Sequence, residues 1–186
     1  EKPKKNKILI YDSLQSKNFK KILSISQSEI LFIRGEKLNL YVLLKTIMED
    51  LLLIFDFQKL NISYLIKYIE LVQPKLVITF CDNDTNFYKL KKHFNYIKFI
   101  SVQNGYRFFK EDLFEAIKKK KLINLSCDYV YCFNEHISKY YKKYIKCETV
   151  SLGSIKNNYV KLKKNKEKYC LFISSFGVSK LEVEKK

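Results

Sequence analysis

The amino-acid sequence predicts an α/β fold: a Rossmann-like parallel sheet with helices on both faces. Three observations carry that expectation. Short apolar runs recur along the chain, separated by longer stretches with apolar residues at helical spacing. The run 75–80 (Lys-Leu-Val-Ile-Thr-Phe) is apolar on both faces, as in a strand buried within a parallel sheet. Polar clusters with Gly, Asp or Asn follow the strand-like runs, and open parallel sheets bind ligands at the carboxyl ends of their strands.

Taken in order, residues 7–11 read as a first strand and 30–33 as a second. Residues 38–50 set Leu40, Leu43, Leu44 and Ile47 at helical spacing. Residues 62–72 form a clearer helix, with Leu65, Ile66, Ile69 and Val72 on one face and Pro74 barring its continuation. Then come strand 75–80, helix 85–94, strand 98–102 and a lysine-rich helix 111–121. Strand 129–133, helix 136–144 and strand 148–152 complete the alternation. Parallel neighbours need crossovers, and these are right-handed. Residues 1–160 are therefore expected as one domain, 161–168 as a basic linker, and 169–186 as the start of a second Rossmann-like domain. A first residue that is Glu1, and an end soon after the apolar run 169–174, suggest a piece of a longer protein.

Composition narrows the function classes. Hydrophobic residues make up 47% and aromatics 15%, which excludes a disordered chain. The net charge of +17 invites a nucleic-acid reading, but base-edge readers favour arginine, and only Arg34 and Arg107 occur. With Ala116 the sole alanine and no tryptophan, the lysine excess reads as an AT-rich coding bias spread over a solvated surface. No nucleic-acid partner is expected; contact with an anionic membrane stays open. Five cysteines without a C-x-x-C pair fit a reducing compartment. The most apolar stretch, 41–57, is broken by Lys45, Glu49, Asp50 and Asp56 and cannot supply a spanning helix. The basic N-terminus lacks an apolar segment behind it and is no secretory signal.

The candidate site residues sit after the strands. Arg34-Gly35-Glu36 follows the second strand, and Cys81-Asp82-Asn83-Asp84 follows the run 75–80. Gln103-Asn104-Gly105-Tyr106-Arg107 follows strand 98–102, Gly153-Ser154 follows strand 148–152, and Asn157-Asn158 come shortly after. Arginine holds phosphate or carboxylate with a fixed fork of donors. Backbone N–H groups at Gly105 can face an anion, and Gln103 and Asn104 carry the donors and acceptors a sugar requires. Asp82 or Asp84 is the expected catalytic base, with Glu36 in reserve. Each has a plainer alternative: Asp82, Asn83 and Asp84 can cap the next helix, and the Gly105 turn can be structural. Asp82-x-Asp84 also keeps Mg²⁺ or Mn²⁺ open, although no resident metal or cofactor is expected. His93 and His136 read as surface residues, and Tyr140, Tyr141 and Tyr144 as a stripe half in the core.

The run Pro74 to Asp84, the segment Phe87-Tyr88-Lys89-Leu90, the segment Ser101 to Arg107, and Leu152-Gly153-Ser154 with Asn157-Asn158 together carry a resemblance. They look like bacterial surface-carbohydrate and capsule polysaccharide biosynthesis proteins related to glycosyltransferases. That resemblance implies a GT-B architecture of two facing Rossmann-like domains, of which this chain would hold the N-terminal, acceptor-side one. In that architecture the C-terminal domain generally holds the nucleotide.

The expected function is transfer of a sugar from a nucleotide sugar to a capsule- or O-antigen-type acceptor, free or lipid-linked, in the cytoplasm at the inner face of the membrane. Arg107, Arg34 and the Gly105 backbone would bind anions or acceptor. Gln103 and Asn104 would contact sugars, and Asn83, Gly153, Ser154, Asn157 and Asn158 would bind substrate. Two alternatives stand beside it: a non-catalytic sugar- or nucleotide-binding module of the same fold, and a lysine-rich binder of nucleic acid or anionic membrane.

Overall fold

The computed structural model describes residues 1–14, 16–22, 27–107 and 112–155. The expected linker, the strand 169–174, Asn157, Asn158 and Cys170 lie outside these residues. Residues Glu1–Ile155 form one compact unit.

Within it, strand β1 (Ile8–Tyr11) is followed by helix α1 (Ser16–Ile22) and strand β2 (Glu29–Leu31). Helix α2 (Leu40–Glu49), a 3₁₀ turn (Leu51–Phe55) and helix α3 (Phe57–Val72) lead to strand β3 (Leu76–Thr79). Helix α4 (Thr85–Leu90), strand β4 (Lys98–Val102), helix α5 (Leu113–Lys119), strand β5 (Ser126–Cys132), helix α6 (Glu135–Tyr144) and strand β6 (Lys146–Ser151) follow. The strands form a six-stranded sheet in the order β2-β1-β3-β4-β5-β6. Every pairing is parallel. The α/β, Rossmann-like expectation holds.

The boundaries differ where caps outweigh apolar spacing. Helix α3 starts at Phe57 because the Asp56 side chain accepts the Lys59 N–H at 3.0 Å. At its end, Gln73 takes a left-handed conformation (φ 54°) and its N–H donates to the Ile69 carbonyl. Helix α1 has no counterpart in the sequence reading, since Phe19 and Ile22 are its only apolar residues. Strand β5 begins at Ser126, with a register irregularity against β6 between Ser126 and Tyr129. A carboxylate inside the strand, Asp128, hides its start from the apolar pattern.

The two faces of the sheet are unequal. On one, Leu9, Tyr11, Leu31, Val77, Phe99, Val130 and Cys132 pack against α2 through α6, with Tyr68, Ile69, Phe87, Leu90, Phe114 and Tyr141 among the buried partners. Phe114 lies between Tyr140, Tyr141 and Tyr144 at ring-centroid distances of 5.7, 5.2 and 5.7 Å, so the tyrosine stripe is core on its inner side. On the other face, Ile10, Ile78, Phe80 and Val102 form a smaller cluster. The right-handed crossover rule puts α1 on this second face, because β1 to β2 is the one step taken in the opposite direction.

Asp128 ties the sheet at its other end. Its Oδ2 accepts the Phe99 N–H at 2.7 Å and lies 2.9 Å from Lys91 Nζ, and its Oδ1 is 3.4 Å from Lys98 Nζ. Burial pushes this carboxyl up, but the Phe99 N–H and the two ammonium groups more than offset it, and its pKa lies below the ordinary value. A depressed acid stabilises the fold above its unfolded pKa of about 4 and loses that contribution as pH falls through the folded value. Asp128→Asn should therefore cost about 1–2 kcal/mol in urea unfolding at pH 7. The gap between variant and wild type should shrink at pH 3; an equal gap at both pH values would show that the charge is not responsible.

Candidate functional site

The site lies at the carboxyl ends of the strands and has two parts. The first is at the switch point. The chain moves outward from β1 to β2, returns across β1 to β3, and continues to β6, so the winding reverses between β1 and β3. Thr79 locks this junction: its Oγ1 donates to the Tyr11 carbonyl at 2.8 Å and accepts the Cys81 N–H at 2.8 Å. Just beyond β1, Asp12 is fully buried and takes φ 81°, a left-handed conformation that costs a residue other than glycine about 1–3 kcal/mol. The turn aims its carboxylate at Arg34, with Oδ2 2.7 Å from Nε, while Oδ1 accepts the Leu14 N–H at 3.1 Å.

Arg34 stays open on its other side, its side chain 48% exposed. A guanidinium nitrogen reaches Cys81 Sγ at 3.6 Å. The bond to Asp12 raises the Arg34 pKa above its ordinary value. Gly35, at φ 81°, makes the turn that brings Glu36 back to the same loop. There Glu36 Oε1 accepts the Ser13 hydroxyl at 2.9 Å and Oε2 accepts the Arg34 N–H at 3.2 Å. Burial, with the nearby Asp84 and Asp12 carboxylates, pushes the Cys81 thiol up to about 12. Cys81 is thus a neutral thiol near pH 7 and a poor nucleophile.

The second part is a buried ionic cluster between β3, β4 and α6. Asp82 is 0% exposed. Its Oδ2 accepts the Tyr141 hydroxyl at 2.6 Å and lies 2.9 Å from Arg107 Nε. Its Oδ1 accepts the Asn104 N–H at 3.1 Å and an Arg107 terminal nitrogen at 3.4 Å. The Nε contact is close without hydrogen-bond alignment. Arg107 makes its aligned bond to Asp112 Oδ1, at 2.7 Å. Asp112 also caps α5. Burial pushes the Asp82 carboxyl above its ordinary range, opposed by Arg107, Tyr141 and the Asn104 N–H. Arg107 shifts toward its charged form despite burial, because it has two carboxylates to Asp82's one guanidinium.

The remaining candidates fall around these two parts. Asp84 caps α4 through the Asn86 N–H at 2.9 Å and accepts the Tyr11 hydroxyl at 2.6 Å. Gln103 is buried and spends both ends of its amide: Nε2 donates to the Gly105 carbonyl at 2.9 Å, and Oε1 accepts the Phe133 N–H at 2.8 Å. The Phe133 carbonyl accepts the Gly153 N–H at 3.1 Å, which links the ends of β4, β5 and β6. Gly105 is not among the glycines at positive φ. Asn104 Oδ1 is buried without a hydrogen-bond partner among the described residues. Asn83 is exposed and borders an open groove of ≈ 400 Å³ with Asp112 and Lys119 of α5.

Against this geometry one comparison is informative. Residues 100–186 match the model of a family described as "putative O-antigen biosynthesis protein". The match supports a role in surface-carbohydrate biosynthesis. It takes in Gln103 to Arg107, Gly153, Ser154, Asn157 and Asn158, and begins after Arg34, Glu36 and Asp82. No curated protein and no solved structure matches the chain.

Sequence reasoning missed Asp12, Ser13, Asp112 and the role of Tyr141. Tyr11-Asp12-Ser13 follows the first strand just as Cys81-Asp82 follows the third, so the signal existed for the first two. Tyr141 meets Asp82 only through tertiary packing, whereas Asp112 lies five residues beyond Arg107.

Removing Arg107 leaves the buried Asp82 carboxylate without its cation, whereas removing Asp82 leaves Arg107 its bond to Asp112. Arg107→Met should therefore destabilise by about 3–5 kcal/mol, and Asp82→Asn by less. The double variant should lose less than the sum by at least about 1 kcal/mol, read from urea unfolding. Additive losses would mean that the two charges do not act as a pair.

Proposed function

We propose that this chain carries the acceptor side of a GT-B-like glycosyltransferase that builds surface glycans of the O-antigen type. One observation carries the reading: Arg34, half-exposed and braced by the buried Asp12, stands at the β1/β3 switch point beside the Glu36 carboxylate. The similarity of residues 100–186 to an O-antigen biosynthesis family supports the choice of substrate class.

In this reading the acceptor hydroxyl attacks the anomeric carbon of the donor, and the bond from that carbon to the phosphate oxygen breaks. The nucleoside diphosphate leaves with the electron pair, and Glu36 takes the hydroxyl proton. Arg34 holds a phosphate, either of the donor or of a lipid-linked acceptor. Glu36 is the better base because Asp82 is fully buried and Asp84 is half-buried with its oxygens held by Asn86 and Tyr11, whereas Glu36, although it accepts from Ser13 and Arg34, is exposed on the loop. Asp82, Arg107 and Gln103 position the loop 103–107. Among the described residues, no three His, Cys, Asp or Glu side chains gather as a metal site.

The engagement of Asp82 and Asp84 also favours a second reading, a sugar- or nucleotide-binding module without turnover. A thermal-shift panel of UDP-, dTDP- and GDP-sugars beside a short-chain prenyl-diphosphate glycan tests both. One ligand at a hundred times its dissociation constant should add about 2.7 kcal/mol, a rise of several degrees. Arg34→Gln should abolish the shift, while Glu36→Gln should keep it and remove transfer. No shift with any ligand, or one that Arg34→Gln leaves intact, would overturn the assignment.

A further inference from the structure

We propose that the apolar surface formed by α2, the following 3₁₀ turn and the first turn of α3 seats this chain on an anionic lipid membrane. Helix α2 is apolar on two sides. Its inner side buries Val42 and Thr46. Its outer side carries Leu40, Leu44 and Met48, one helical row four residues apart, all exposed, with Met48 at 80%. Beyond the end of α2, Leu52, Phe55 and Phe57 are exposed as well, the last two at 88% and 81%. Isolated exposed apolar residues are ordinary, but a contiguous surface of this kind marks an interaction face.

Its charges select the occupant. The acidic residues within the patch are engaged: Asp50 caps the 3₁₀ turn through the Leu52 N–H at 3.0 Å, Asp56 caps α3 and pairs with Lys59 at 3.2 Å, and Glu49 pairs with Lys67 at 2.6 Å. Lysines rim the end nearest the strand edge. Asn39 Nδ2 donates to the Glu1 carbonyl at 3.0 Å, which holds the N-terminal segment beside the start of α2. Lys2, Lys4 and Lys5 are exposed on that segment, and Lys37 is exposed just before Leu38. Apolar side chains bordered by lysines match an anionic bilayer surface, with the rings below the headgroups and the ammonium groups among them. A second copy fits less well, because two chains of net charge +17 repel each other. Among the described residues no helix is long and apolar enough to cross a membrane, so the contact is a shallow one.

The surface begins directly after Glu36, so docking would bring the strand-end edge close to the headgroups. This holds whatever chemistry that edge performs.

The test is co-sedimentation of the full chain with phosphatidylglycerol/phosphatidylcholine vesicles and with phosphatidylcholine alone. Binding should require the anionic lipid and weaken with salt. Phe55→Ser with Phe57→Ser should reduce affinity at least about tenfold, as should Lys2→Gln with Lys4→Gln and Lys5→Gln. All five positions are exposed, and unchanged melting would confirm that the fold is kept. The chain has no tryptophan, so Phe55→Trp supplies a single fluorophore. Its emission should shift to the blue on anionic vesicles and be quenched by brominated lipid. No sedimentation, equal binding by the phenylalanine variant, or unshifted tryptophan emission would overturn the proposal. So would a dimer in light scattering that the serine substitutions dissolve.

Discussion

The carboxylate of Asp82 is the fixed point of the carboxyl edge of the sheet. It sits without solvent at the end of β3 and takes bonds from the loop after β4 and from α6. Through Arg107 it also reaches the cap of α5. A buried charge without partners would cost several kcal/mol, so each of these elements is constrained to stay where it satisfies that charge. Tyr88 extends the same logic, its hydroxyl donating to the Asp82 carbonyl at 2.7 Å and meeting Ser101 Oγ at 3.1 Å. The loop 103–107 is thus shaped by an ionic constraint more than by its own turn chemistry.

The two arginines divide two roles that the sequence could not tell apart. Both follow an apolar run, both are near a glycine, and both read as anion holders. In the structure one is enclosed by carboxylates and the other is braced on one side and open on the other. The difference lies in partners that are distant in sequence: Asp12 for Arg34, and Asp82 for Arg107. Their guanidinium forks suit both tasks, since the same planar donors serve a carboxylate or a phosphate.

Most of the fold was legible because its central strands β1 and β3 are largely buried and its longer helices carry regular apolar stripes. The order of alternation, the strand at Leu76–Thr79 and the helix ending before Pro74 followed from those patterns. What escaped was set by polar side chains that act on the backbone: Asp56 starting α3, Asp112 starting α5, and Asp128 within β5. The gathering of the candidate residues at the carboxyl ends of the strands was legible, and their individual bonds were less so. Asp84 shows why. Its position before a helix permitted both a cap and a base, and only the bonds from Asn86 and Tyr11 reveal how its oxygens are used.

The outer strands carry one more consequence. Among the described residues the sheet ends in two margins, β2 and β6, where a strand can offer backbone groups to another extended chain. Here β2 is only three residues long, and β6 carries exposed Lys146 and Glu148 along its length. One margin is too short to template a foreign strand, and the other burdens it with charge. The sheet is therefore guarded against growing edge to edge into fibrils, which leaves the helical side of the molecule as the place where its sticky surface is displayed.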